Sequence, residues 1–208
     1  KLVILKVGPL TPEEIEWIKP NTFLVSSVPS NSLNREYFTE LSKKRITSVG
    51  FEFIKDEQNQ LPVLRLLSEI AGTTAILVGS ELMSSVNGGN GILMGGVTGV
   101  RPTEVVILGA GTVAENAART AIGLGASVRV FDNSLSRLRR LQQNIGQRIP
   151  TSTIDPKELE KTLRRCDLAI GALRGDARTP CVVTESMVEK MKPGAVIIDV
   201  SIDQGGCF

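Results

Sequence analysis

Residues 105–114 read Val-Val-Ile-Leu-Gly-Ala-Gly-Thr-Val-Ala, and this stretch decides the fold. Its four leading apolar residues are typical of a buried strand, and the two glycines predict a tight turn into a helix. Asp132 follows at the end of the next apolar run, about 20 residues beyond Gly109. A strand, a glycine turn, a helix and an acid in this order predict a dinucleotide-binding α/β fold.

Each residue of the motif has an expected role in binding or folding. Gly109 makes the tight turn, Gly111 lets the backbone approach a diphosphate, and Ala114 replaces a third glycine where helix meets strand. The helix that opens at Thr112 offers free N–H groups and a partial positive charge to phosphates. Asp132 would accept hydrogen bonds from the adenosine ribose and repel a 2′-phosphate. The sequence therefore predicts NAD rather than NADP.

The sequence leaves open some alternatives for the glycine turn and for the charged residues near it. A glycine turn of this kind also occurs for packing alone, but the agreement of strand, spacing, helix and acid favours dinucleotide binding. A charged helix face is ordinarily solvated, and this is the simple interpretation of Arg137, Arg139 and Arg140. An arginine near Asp132 can also bind a phosphate. Arg137 could in addition contact the adenosine end of the cofactor. Glu115 suits the helix dipole and is expected to point away from the diphosphate, because the opposite orientation would weaken binding.

The remaining apolar runs extend the pattern in both directions. Short buried strands alternate with amphipathic helices, which predicts a parallel sheet covered on both faces. A glycine-rich stretch, residues 87–97, is interpreted as a domain junction, and a polar turn is predicted at 56–60. The predicted strands are 2–5, 23–25, 46–53, 105–108, 128–131, 149–153, 168–170 and 196–198. The predicted helices begin at Thr11, at Asn31 or Ser32 (to about Lys44) and at Ser68, and cover 112–124, 134–145, 156–165 and 184–191.

Composition excludes several classes of function. The 208 residues are 41% hydrophobic and 22% charged, with a net charge of +2, which gives no reason to expect nucleic acid or an anionic membrane as partner. No apolar run approaches the ~18 residues of a membrane span. Three cysteines without CxxC spacing favour a reducing, cytoplasmic setting. Because histidine is absent, His-ligated zinc and His-based nucleophile pairs are excluded, and no metal site is predicted. The chain starts at Lys1 and is expected to be an excerpt of a longer protein.

Six collinear segments resemble alanine dehydrogenase, a family that includes the alpha subunit of proton-translocating transhydrogenase. The resemblance is strong from Leu61 to Phe208 and faint before it, and the last segment favours the alanine dehydrogenase branch. The same last segment argues against the alternative that the chain is an isolated Rossmann domain of an unrelated dehydrogenase. The matching segments are Leu67-Ser-Glu-Ile-Ala-Gly72, Gly95-Gly-Val-Thr-Gly-Val100, Val106-Ile-Leu-Gly-Ala-Gly-Thr-Val113, Asp167-Leu-Ala-Ile-Gly-Ala172, Met191-Lys-Pro-Gly-Ala-Val196 and Ile198-Asp-Val-Ser-Ile-Asp-Gln-Gly-Gly-Cys-Phe208.

The resemblance implies two Rossmann-like domains, with substrate and nicotinamide meeting in the cleft between them. Residues 1–67 would be part of the substrate domain, 68–86 a connecting helix and 87–208 the NAD domain. The implied substrate is a small amino or keto acid. The implied assembly is a homo-oligomer formed through the connecting helix and the NAD domain.

The resemblance also assigns roles to single residues. Ser68 would contact the cofactor, Arg137 would stand on its adenosine side, and the backbone of Gly171, Ala172 and Leu173 would pass beside it. Asp203 matches a catalytic aspartate that also borders the cofactor. The other possibility for Asp203 is a turn carboxylate that caps local N–H groups.

The chain departs from the family where the substrate should bind. The family interconverts alanine and pyruvate with a histidine acid–base and a lysine that holds the carbonyl. Here the lysine position carries Gly8 and the histidine position falls within Ser26-Ser27-Val28, most closely on Val28. Lys6 fits an earlier lysine of the motif or is an ordinary charge at a strand end, and the loop from Leu173 to Asp176 is one residue short.

Two hypotheses follow. The first is an NAD-dependent oxidoreductase acting on alanine or another small amino or keto acid with altered catalytic groups. The second is an NAD-binding relative that has lost catalysis and serves as a sensor or regulator.

Overall fold

The apolar runs of the sequence form the strands of two separate parallel sheets. The structure, a computed structural model, describes residues 2–28, 34–175 and 178–208. The chain divides into two units, Lys1–Leu67 and Ser68–Phe208, and each carries one of the sheets. The predicted α/β class, a doubly wound parallel sheet together with a second α/β unit, is confirmed.

The first unit is a small three-stranded sheet in the order β1-β2-β3, with all strands parallel. Its elements are β1 (Val3–Leu5), α1 (Pro12–Trp17), β2 (Phe23–Ser26), α2 (Arg35–Lys43) and β3 (Thr47–Gly50). Among the described residues of this unit, six form its buried core: Leu10, Ile15, Ile18, Leu24, Tyr37 and Leu41.

Local capping explains where the helices of this unit begin. The Thr11 Oγ1 accepts from the Glu14 N–H (3.2 Å), and the Glu14 carboxylate accepts from the Thr11 N–H (2.7 Å), as the sequence predicts. Helix α2 is capped by Asn34, whose Oδ1 accepts from the Tyr37 N–H (3.0 Å). The caps predicted at Asn31 and Ser32 lie outside the described residues.

Strand β3 is shorter than the sequence predicts. It ends at Gly50, and residues Phe51–Phe53 form a 3₁₀ turn instead of continuing the predicted strand to 53. The turn brings the Glu52 carboxylate to the end of β2, where it accepts a hydrogen bond from the Val28 N–H (2.6 Å).

Helix α3 (Pro62–Met83) begins at Pro62 rather than at Ser68, because proline is well tolerated in the first helical turn. One face of α3 is buried in the second unit through Gly72, Ile76, Gly79 and Met83. At Gly72 a Cβ would lie 2.2 Å from the carbonyl oxygen of Val113, so only glycine allows this close approach.

Helix α3 also corrects the expectation that no segment is long enough to cross a membrane. Within the described parts of the chain, it is one helix whose length and apolar composition would suffice. The core helix of a water-soluble protein passes the same test, and the fully buried Ile76 and Met83 belong to the core of the second unit.

The second unit is a five-stranded parallel sheet in the order β6-β5-β4-β7-β8. Its core has two parts, one on each face of the sheet. The division between the units falls inside α3, ahead of the glycine-rich stretch. The elements are β4 (Glu104–Leu108), α4 (Thr112–Gly123), β5 (Ser127–Phe131), α5 (Leu135–Ile145), β6 (Thr151–Ser152), α6 (Pro156–Leu163), β7 (Leu168–Gly171), α7 (Glu185–Val188) and β8 (Val196–Asp199).

Helix α7 is half the predicted length. The Met191 N–H donates to the Val188 carbonyl (2.9 Å), a tighter pattern than that of an α-helix. Pro193 and Gly194 follow directly, and neither residue favours continuing the helix.

Candidate cofactor site

The carboxyl ends of four strands meet at one edge of the second sheet. Leu108 pairs with Phe131 on one side and with Gly171 on the other, and Gly171 pairs with Asp199. The chain reverses its winding direction between β4 and β7. Ligands of open α/β sheets bind in the crevice outside the carboxyl ends at such a switch point.

Gly109 makes the turn out of β4 and packs tightly. Its φ is +113°, and a Cβ there would lie 2.5 Å from the carbonyl oxygen of Ala172. Its N–H donates to the Phe131 carbonyl (2.7 Å), so the turn is bound to the end of β5 as well. This glycine is therefore required by the fold itself, and it brings the first turn and the end of β7 together.

Gly111 differs from Gly109 because it borders open space. It is the N-cap residue of α4, and no side chain caps the helix. A Cβ at Gly111 would meet no heavy atom within 4 Å. The first N–H groups of α4 have no partner inside the helix, so this end suits the phosphates of a dinucleotide. On these observations the residues fit a dinucleotide.

Asp132 lies at the end of β5 and is 4% exposed. Its Oδ2 accepts from the Ala110 N–H (2.8 Å) and its Oδ1 from the Ser134 N–H (2.7 Å). The carboxylate thus joins the glycine turn to the start of α5, a role that the sequence does not reveal. Each oxygen can accept a further hydrogen bond, which leaves capacity for two ribose hydroxyls.

The other predicted residues of this half take different positions. Ala114 is fully buried where α4 packs on the sheet. Arg137 lies exposed in the first turn of α5, as do Arg139 and Arg140 further along. The Glu115 carboxylate accepts from Arg119 (3.1 Å) and from the Asn144 side chain (2.8 Å), so it is engaged with the region of α5.

Ser68 and the segment after β7 flank the same edge. Gly72 contacts the first turn of α4, and Ser68 lies one turn earlier on the same face of α3, half-buried. The Ala172 N–H donates to the Leu108 carbonyl (2.8 Å), and Leu173 packs on the core. Asp176 in the following loop lies outside the described residues.

Asp203 lies in a 3₁₀ turn, Ile202–Gln204, with its side chain exposed. Among the described residues, none donates a hydrogen bond to its carboxylate. The capping role that the sequence leaves open for Asp203 is carried out by Asp199.

Sequence reasoning missed Asp199. Its Oδ1 accepts from the N–H and the hydroxyl of Ser201 (both 3.0 Å), and its Oδ2 accepts from the N–H groups of Cys207 (2.6 Å) and Phe208 (3.3 Å). A Cβ at Gly171 would lie 2.6 Å from Asp199 Oδ1, so the glycine makes room for this carboxylate. Asp199 therefore closes the loop that carries Asp203. The sequence signal, an acid at a strand end ahead of Gly205-Gly206, indicates a tight loop but does not identify the N–H groups that Asp199 binds.

Within the part of the chain that the structure describes, no group of three or more Asp, Glu or Cys side chains is placed to hold a metal ion. Burial raises the pKa of the Cys166 thiol to about 12 and also raises the pKa of Cys207.

Comparison with known proteins agrees with this geometry. Residues 75–208 match the family model described as alanine dehydrogenase/PNT, C-terminal domain. The chain belongs to the alanine dehydrogenase/PNT family. The matched domain is the NAD(H)-binding domain of that family, so NAD is its cofactor.

The relatives carry the same family name. An alanine dehydrogenase of Mycolicibacterium smegmatis is 48% identical over 163 residues, which cover 78% of this chain and 44% of the relative. Alanine dehydrogenase 2 of Staphylococcus aureus is 38% identical over 208 residues, 99% of this chain and 55% of the relative. A solved L-alanine dehydrogenase superposes with a TM-score of 0.90 at 36% identity, covering 100% of this chain and 57% of that one. The chain thus spans about half the length of these alanine dehydrogenase/PNT relatives.

Proposed function

We propose that the protein carrying this chain is an NAD-dependent dehydrogenase that interconverts L-alanine and pyruvate, with ammonia as the second product. The observation that carries the proposal is the edge of the second sheet, where an uncapped helix start, a buried acid and the loop of Asp203 lie together. Membership of the alanine dehydrogenase/PNT family supports the choice of a small amino or keto acid as substrate.

The described contacts support the following mode of cofactor binding. The diphosphate lies at the start of α4, where Gly111 leaves room, and Asp132 accepts hydrogen bonds from the ribose hydroxyls. Arg137, exposed one turn into α5, stands on the adenosine side. When bound, NAD supplies the acceptor for the hydride of the α-carbon.

The nicotinamide half borders residues from three segments. Ser68 and the backbone of Gly171, Ala172 and Leu173 line it, and Asp203 projects from a loop that Asp199 holds closed. An exposed carboxylate at this place can accept a proton that the substrate releases. We assign residues 1–67 to the substrate domain, 68–86 to the connecting helix and 87–208 to the NAD domain.

The alternative is a catalytically inactive NAD-binding regulator or sensor, and the first unit favours it. The sequence has no histidine, and the expected lysine and histidine positions carry Gly8 and Val28. The amino group of Lys6 pairs with the Glu14 carboxylate, so the one lysine at this strand end is already engaged.

One experiment separates the two functions. NADH consumption is measured with pyruvate and ammonia, and NADH binding is measured by calorimetry on the same full-length protein. We expect both turnover and binding. Binding without turnover over a series of keto acids would establish the regulator, and absence of both would refute the site itself.

The role of Asp203 is tested on the same assay. Removing a general acid–base group lowers rates by about 10²–10⁴-fold, so we expect Asp203→Asn to lower kcat in this range. Thermal stability should stay close to wild type, because the Asp203 side chain is exposed. An unchanged kcat would remove Asp203 from the mechanism.

The assembly and the compartment complete the proposal. Helix α3 exposes Leu66 (60%), Ile70 (62%) and Leu77 (52%) on one face while its other face is buried, which supports a homo-oligomer interface rather than a membrane span. The three cysteines have free thiols, which supports a reducing, cytoplasmic setting.

A further inference from the structure

The first unit places a half-buried carboxylate, that of Glu52, at the carboxyl edge of its sheet. β2 and β3 are paired up to Ser26 and Gly50, and Glu52 lies in the turn directly after β3. Glu52 Oε1 accepts hydrogen bonds from the Val28 N–H (2.6 Å) and from the Ser27 hydroxyl (3.3 Å). Two groups at the end of β2 therefore hold this side chain in place.

The second oxygen of the same carboxylate is in a different position. Glu52 Oε2 is shielded from solvent and has no hydrogen-bond partner among the described residues. Gly50 lies beside it, and a Cβ there would come to 3.0 Å from Oε2. A buried carboxylate oxygen without a donor is costly, so a donor from a ligand or an ordered water is expected there.

The position of Glu52 suits a group that transfers protons to and from the substrate. Ligands of parallel sheets gather at the carboxyl ends of the strands, and Glu52 lies at such an end. Conversion between an imine and a ketone needs a group that takes up and returns protons, and the chain has no histidine to do this. Lys6 and Glu14, which lie at the end of β1 and the start of α1, form an ion pair with each other.

We propose that Glu52 is the acid–base group of the substrate half, acting on the imine of a small amino acid; this rests on the proposed dehydrogenase function. The Oε2 atom takes a proton from water as the water oxygen bonds to the imine carbon and the C=N π pair moves to nitrogen. The same proton then passes to that nitrogen. The C–N bond breaks, the C=O bond forms, and the hydroxyl proton leaves with ammonia as ammonium. The protonated imine (C=NH₂⁺) and water thus give keto acid and ammonium (NH₄⁺), with Glu52 returned as carboxylate.

The test compares Glu52→Gln with Glu57→Gln in the full-length protein. Glu57 is an exposed carboxylate in the turn that follows, which makes it a matched control. We expect Glu52→Gln to lower kcat for NADH consumption with pyruvate and ammonia by about 10²–10⁴-fold, with NADH affinity unchanged. Glu57→Gln should keep the wild-type kcat. In Glu52→Ala, added formate should restore part of the activity, since it replaces the missing carboxylate.

Each result separates this inference from the proposed function. A wild type that turns over while Glu52→Gln is equally fast would overturn the role of Glu52 alone. A wild type without turnover would overturn both. If Glu52→Gln fails to fold, Glu52→Asp keeps the acid in a shorter side chain; its folding with partial activity would support the proposal. Loss of folding in all three Glu52 variants would show that the carboxylate is structural and overturn the inference.

Discussion

At the scale of single residues, the two glycines of the motif at 109–111 perform different tasks. Gly109 has a positive φ and touches the Ala172 backbone, whereas Gly111 has φ −85° and open space in front of it. The first is needed to fold the turn, and the second leaves space that a ligand can use. The glycine pattern therefore combines a structural and a binding requirement.

Alanine substitution separates these tasks. We expect Gly109→Ala to lower the free energy of unfolding by at least about 1–3 kcal/mol, because alanine is strained at this φ. Gly111→Ala should fold normally and weaken NADH binding roughly tenfold to hundredfold, since its methyl group blocks hydrogen bonds worth about 1.5–3 kcal/mol. Thermal melting and calorimetry measure the two effects. Unchanged NADH affinity in Gly111→Ala would contradict the placement of the diphosphate.

The cysteines give a second prediction at this scale. Because the thiolate is the reactive form, burial protects Cys166, whose pKa is raised to about 12, and Cys207, whose pKa is also raised. Cys181 is exposed. We expect iodoacetamide at pH 8 to modify one of these three cysteines, Cys181, in the native protein and all three after unfolding in guanidinium, as read by peptide mass spectrometry of the segments that carry them. Modification of Cys166 or Cys207 in the native protein would count against this burial pattern.

A site residue can be predicted from the sequence when the residues that it works with lie close to it along the chain. Gly109, Gly111 and Asp132 follow from a motif whose spacing is local, and Asp203 follows from resemblance. Asp199 and Glu52 could not be predicted in their roles, because these arise from contacts that the fold creates. The Glu52 partner Val28 lies on another strand, and Asp199 binds the N–H groups of a loop that returns to it.

At the scale of elements, boundaries are predicted well where a side chain caps the backbone and poorly where proline or a tight turn sets them. Thr11, Ser134 and Asp155 cap helices within one or two residues of the predicted starts. Helix α3 begins earlier than predicted, at Pro62, and α7 ends early, in the turn before Pro193. The alternation of strands and helices was sufficient for the fold class, but not for these ends.

The exposed face of α3 leads to a prediction about assembly. Leu77 is 52% exposed on the apolar face that it shares with Leu66 and Ile70. A lysine at position 77 would place a charge in the proposed interface. We expect Leu77→Lys to shift the oligomer toward smaller species in light scattering without loss of helix content. Leu124→Lys, at a 43% exposed position after α4, is the control and should assemble as wild type. Identical masses for all three proteins would exclude this face from the interface.

At the scale of the whole molecule, the two units differ in the size of their cores. In its described part the first unit buries six hydrophobic residues, and the edge strand β1 leaves Val3 (56%) and Leu5 (77%) exposed. The second unit covers both faces of its sheet, and the strands β4 and β7 are almost entirely buried. Because stability rises with the apolar area buried, the second unit should hold its structure more strongly.

Hydrogen exchange tests this difference and the cofactor together. We expect amides of β1–β3 to exchange faster than those of β4 and β7. Ligand at 100 times its Kd adds about 2.7 kcal/mol to the stability of the state that binds it, so NADH should slow the slowest amides of β4 and β7 roughly 100-fold. At the same concentration NADPH should slow them much less, because its 2′-phosphate would meet the Asp132 carboxylate. Equal protection by both nucleotides would show that Asp132 serves only to hold the glycine turn, and strong protection of β1–β3 would show that the small core suffices.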